Sequence, residues 1–137
     1  MQTVLHYLAL LLTGTLLQAQ NTVEVTMTQF DNNNGIARVG LYNQANDFLD
    51  KAFLAQEATI SNEKATVVFN DIPDGTYAIS MFHDEDNDGK MKMRMGFIPA
   101  EDYACSNNAK GLFGPPKWDD AKFEVKGGEV KSIAIKL

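Results

Sequence analysis

From Asn21 onward the apolar residues fall on alternate positions: Val23, Val25 and Met27, then Ala37, Val39 and Leu41, then Tyr77, Ile79 and Met81, and last Ile133, Ile135 and Leu137. A period of two places each set on one face of a half-buried strand, and no stretch of comparable length repeats at helical spacing. Lys64–Phe69 alternates in the same way. Between these runs stand Asp31-Asn32-Asn33-Asn34-Gly35, Asp71-Ile72-Pro73-Asp74-Gly75 and Lys126-Gly127-Gly128-Glu129, all rich in turn-forming residues.

Parity predicts that the first turn closes a hairpin with Val39 opposite Met27 and Leu41 opposite Val25. The last predicts a terminal pair, Lys122–Val125 with Val130–Leu137. Asn46–Phe53 reads as a short helical turn, and the chain from there to Ser61 as a connection. Six or seven short strands without a long helix specify an all-β fold, an antiparallel β-sandwich of immunoglobulin-like or prealbumin-like type. Tyr77, just after the Pro73 turn, is placed to form a tyrosine corner.

The chain's start breaks the pattern. Met1 to Val23 contains no Asp, Glu, Lys or Arg, and half of Val4–Leu17 is Leu. That stretch falls short of the about 20 apolar residues a membrane span needs and suits the h-region of a secretory signal peptide cut after Ala19. Residues 20–137 are then expected to form one domain, secreted or periplasmic, with no membrane span after cleavage. No cysteine follows the apolar stretch to take a lipid anchor.

A formal net charge of -6 argues against a nucleic-acid partner, which calls for a clustered basic surface. The single cysteine, Cys105, rules out an internal disulfide and reads as a small buried hydrophobe. Nothing in the sequence fixes an oligomeric state.

Candidate chemistry concentrates in Asp84-Glu85-Asp86-Asn87-Asp88-Gly89-Lys90. Asp84, Asp86 and Asp88 occupy the carboxylate positions 1, 3 and 5 of a calcium loop, Gly89 the tight-turn position 6 and Lys90 the backbone-carbonyl position 7. Position 9 is Lys92 and position 12 is Met95 in place of a bidentate Glu, so this is no EF-hand. A shorter β-loop site would need a ligand from elsewhere, with Glu85, Glu101, Asp102, Asp119 and Asp120 available. The same residues also make a plain solvated turn. Calcium is the candidate cofactor, bound at about the millimolar strength of extracellular modules.

Met91, Met93 and Met95 alternate with Lys90, Lys92 and Arg94, so that a strand there would present three thioethers on one face. Such a stripe suits Cu(I), with His83 and Cys105 as further donors, or else simply packs inward. The segment Ser106–Trp118 is too polar and too rich in glycine and proline for a regular element. Asn107, Asn108, Phe113 and Trp118 make it a candidate site for a carbohydrate, peptide or envelope component, unless the aromatics close the end of the sandwich. No Ser-His-Asp, metalloprotease or phosphate-loop motif is present, and the chain is not expected to be an enzyme.

Asp74-Gly75-Thr76-Tyr77-Ala78-Ile79, Met81–Lys90, Gly96-Phe97-Ile98-Pro99, Ser106-Asn107-Asn108-Ala109 and Gly114-Pro115-Pro116 together resemble a family of exported bacterial proteins catalogued as domain of unknown function 2141. The resemblance runs across most of residues 20–137 and implies an exported single-domain β protein with a shared acidic loop, but no activity. It also implies an acidic residue where this chain has Lys92. The expected function is therefore a noncatalytic exported β-sandwich, calcium-stabilised at the acidic loop, with a periplasmic copper-binding protein and an unrecognised hydrolase as alternatives.

Overall fold

The computed structural model describes residues 20–137 apart from Phe97, so the expected signal peptide, residues 1–19, lies outside the described residues. The protein is an all-β sandwich. One sheet has the order β10-β1-β4, from Val130–Lys136, Asn21–Thr28 and Lys64–Ile72. The other has the order β3-β2-β5-β8, from Leu54–Thr59, Ile36–Tyr42, Gly75–Asp84 and Tyr103–Cys105, with β9 (Phe123–Val125) pairing the start of β5. A two-residue hairpin of β6 (Met93–Arg94) and β7 (Ile98–Pro99) projects beside the second sheet's loops. All pairings are antiparallel except β1 with β10, which is parallel.

The alternating residues turn inward as expected. Val23, Val25, Met27, Val39, Leu41, Phe69, Ile79, Met81 and Ile135 form one core between the sheets, each at most 2% exposed. Burial on this scale is the main stabilising term, at roughly 25 cal/mol per Å² of apolar surface.

Partner choice differs from the sequence expectation. β1 does not pair β2: the Asp31–Gly35 turn carries the chain across to the opposite sheet, where Val39 lies against Met81 and Leu41 against Ile79. The Asp71–Gly75 turn likewise passes from β4 to β5 between sheets, and β9 and β10 join different sheets rather than each other. A period of two tells which face of a strand is buried but not which strand lies beside it, and in a sandwich a turn that changes layers keeps the same parity. The segment expected as a connection contains β3, whose residues are almost all exposed at the sheet edge and so carry no alternating signal. Two-residue and three-residue strands raise the count above six or seven.

The tyrosine corner is present: Tyr77 Oη donates to Pro73 O at 2.7 Å, bracing the β4–β5 turn. A small satellite cluster of Ala78, Cys105, Ala109 and Ala121, with Phe48 and Trp118 packed on it, covers the outer face of β5 near its start. Among the described residues no helix is long and apolar enough to cross a membrane.

Candidate metal centre

β5 ends at the acidic loop, and strand alternation divides the residues there between the two sides of the sheet. Tyr77, Ile79, Met81 and His83 point to the core, so Asp84 emerges on the outer face, next to the side chain of Arg38 on β2. Asp84 is fully buried. Its Oδ2 accepts from Arg38 Nε at 2.6 Å and from the Gly89 N–H at 2.8 Å, while Oδ1 takes only a longer bond from the Asp88 N–H at 3.2 Å. Burial pushes the carboxyl upward, but the Arg38 guanidinium and the two loop N–H groups outweigh it and hold the group down at about 2. Asp84 is therefore a carboxylate at neutral pH, with one oxygen lightly engaged.

The loop is drawn around that carboxylate. Gly89 has φ +82, a left-handed conformation that glycine adopts without cost, and this turns its N–H back onto Asp84. Asp88 Oδ1 accepts the Lys90 N–H at 2.9 Å, and Arg38 Nη2 donates to Asn87 Oδ1 at 3.1 Å. The Lys90 carbonyl, the position 7 candidate, belongs to this same turn.

A fourth carboxylate comes from the far side of the β6–β7 hairpin. Glu101, only 7% exposed, brings its carboxylate beside the loop, where it accepts the Glu85 and Lys92 N–H groups, each at 2.9 Å. Asp84, Asp86, Asp88 and Glu101 each offer a ligand oxygen, and these oxygens lie within 4.8 Å of one another. Of the five carboxylates the sequence left open, Glu101 is the one on this side. Glu85 instead directs Oε1 to within 3.8 Å of His83 Nδ1, Asp102 contacts Asp31, and Asp119 and Asp120 sit in the helical turn Trp118–Ala121.

Four carboxylates at this spacing repel one another unless a cation is near. Lys92 partly answers: its Nζ pairs with Asp86 Oδ2, a contact that raises the lysine's pKa. The position that departs from a calcium loop thus places an ammonium against a loop ligand.

The other sequence candidates separate. β6 contains only Met93 and Arg94, and Met95 leaves it at φ 54, so Met91, Met93 and Met95 do not line one strand face. Nor do they pack inward, since Met93 is 48% and Met95 83% exposed. His83 is buried in the sandwich and Cys105 in the satellite cluster, where burial raises the thiol's pKa. In the second loop, Asn107 Nδ2 donates to Asp120 O and Lys122 O, and Asn108 Oδ1 accepts the Lys136 N–H. Trp118 stacks edge-on to Phe48, with ring centroids 5.9 Å apart, whereas Phe113 stands 99% exposed. Sequence reasoning missed Arg38, whose role depends on cross-strand register.

The family model described as an uncharacterised protein conserved in bacteria, DUF2141, matches residues 25–133. No curated protein and no solved structure matches the chain.

Proposed function

Since the chain belongs to the DUF2141 family of uncharacterised bacterial proteins, we propose that it is a noncatalytic, exported β-sandwich that binds calcium at the Asp84, Asp86, Asp88 and Glu101 carboxylates. The observation that carries this reading is the convergence of four carboxylate oxygens, from two separate segments, within 4.8 Å. An all-oxygen, flexible and highly anionic donor set suits a hard cation, and calcium tolerates the irregular geometry better than magnesium does. The ion ties the acidic loop to the segment after β7 and replaces Lys92 as the partner of Asp86. Export is supported by the uncharged, leucine-rich residues 1–23. The Leu112–Phe113 tip, 88% and 99% exposed, is the surface left for a carbohydrate, peptide or envelope partner.

Thermal melts of metal-stripped protein test the site. With a Kd near 1 mM, 10 mM calcium stabilises by about 1.4 kcal/mol, a rise of several degrees in Tm. Glu101→Gln and Asp86→Asn should each abolish that rise. A melting temperature indifferent to calcium would sink the proposal.

A further inference from the structure

The inner side of the same loop presents a second, chemically different group. His83 is fully buried, with its ring edge-on to Phe30 at 5.2 Å between centroids. Its Nε2 lies 2.6 Å from the carbonyl oxygen of Asn34, which can only accept, so Nε2 carries the proton. In the neutral ring Nδ1 is consequently a bare lone pair. It is the one buried side-chain polar atom among the described residues without a hydrogen-bond partner.

That lone pair faces another electron-rich atom. Glu85 Oε1 is 3.8 Å from Nδ1, too far for a hydrogen bond. Two donors on a tetrahedral zinc, with bonds of about 2.0–2.1 Å, stand about 3.3 Å apart, close to the gap observed. An imidazole whose other nitrogen donates to a main-chain carbonyl is also oriented in the manner usual for metal-bound histidine.

Further carboxylates adjoin the pair. The Asp102 carbonyl accepts the His83 N–H at 2.8 Å, which sets Asp102 beside His83 along the main chain. Its carboxyl is in hydrogen-bonding contact with that of Asp31, and this contact, then burial, raises the Asp102 pKa.

We infer that His83 Nδ1 and Glu85, with Asp102 as third ligand, form a site for a borderline divalent transition ion of the zinc class, separate from the outer carboxylates. The nitrogen donor distinguishes it from a calcium site. Unlike the outer four, these groups are not already within 4.8 Å of one another. Closure comes from rotation of the exposed Glu85 and Asp102 side chains, with Asp102 leaving its contact with Asp31.

The test is calorimetric titration of the metal-stripped full chain with zinc, alone and in excess calcium, together with ¹⁵N spectra of the imidazoles. The expected result is one equivalent of zinc that excess calcium does not displace, and a shift of His83 Nδ1 while Nε2–H persists. Glu85→Gln, at an exposed position that leaves the fold intact, should weaken zinc at least about tenfold. His6→Gln removes the chain's other histidine and should change nothing. No zinc uptake, an unshifted Nδ1, displacement by calcium or unchanged affinity in Glu85→Gln would each overturn the inference. A failure of calcium to bind would leave these readouts intact.

Discussion

Arg38 Nε lies 2.6 Å from Asp84 Oδ2 across 46 residues of sequence, so a half-buried guanidinium on β2 neutralises a fully buried carboxylate at the end of β5. The same guanidinium reaches Glu57 on β3 and Asn87 in the loop, and thereby ties three strands' worth of structure to the candidate metal centre.

This pairing predicts an acid-labile contribution to stability. The Asp84 pKa is depressed in the folded state, to about 2 from 3.8, so its stabilisation is fully present above the unfolded value and is lost as pH falls from about 4 to 2. Its size is about 2 kcal/mol. Arg38→Met leaves a buried carboxylate without its cation, and urea unfolding at pH 7 should show a loss of about 3 kcal/mol or more. The variant should also lose less on acidification than the wild type does. Identical acid limbs for the two proteins would refute the assignment.

Lys92 gives a prediction of opposite sign. Its ammonium occupies Asp86, so an ion bound at the proposed site must displace it. Lys92→Gln should therefore tighten calcium binding by about threefold to tenfold, an effect that shrinks as salt rises. Isothermal titration at low and high ionic strength reads both features, and weaker binding in Lys92→Gln would show that the lysine supports the loop rather than competes for it.

The three aspartates and Gly89 were legible in the sequence as a group because a tight acidic turn is a local object, read from spacing alone. Glu101 and Arg38 were not, because each reaches the site through strand pairing. Glu101 becomes a neighbour of Asp84 only once β8 pairs β5, and Arg38 only once β2 does. The core was legible for the complementary reason. Alternation at Val23, Val25 and Met27 depends on which face meets the other sheet and not on which strands lie alongside. The exposed edge strand β3 and the layer-changing turns leave no such trace. His83 illustrates the limit most sharply, since parity assigns it to the core face while only the fold supplies the Asn34 carbonyl that fixes its proton.

Gly35 joins the first turn to the acidic loop by close approach. It has φ +63, and a Cβ there would stand 1.9 Å from Asp84 O, a main-chain atom with no room to move. Gly35→Ala should cost at least about 3 kcal/mol, as backbone strain and steric overlap add. Because Asn34 O holds His83 Nε2, the variant should also disturb the imidazole signals. Denaturant unfolding with ¹⁵N spectra checks both, and near-wild-type stability would show that the turn is freer than its geometry suggests.

The aromatic residues of the Ser106–Trp118 loop separate into a support and a probe. Trp118 packs on Phe48, which in turn meets Tyr42 edge-on at 5.3 Å, so Trp118→Ala opens a gap over the satellite cluster and should cost about 2–3 kcal/mol. Phe113 is 99% exposed, and Phe113→Ser should change stability by less than about 0.5 kcal/mol. Any loss of glycan or peptide binding in Phe113→Ser therefore reports contact rather than misfolding, which Trp118→Ala cannot do. Array binding beside urea unfolding for both variants makes the comparison: loss in Phe113→Ser at wild-type stability assigns the tip a binding role, and retained binding there removes it.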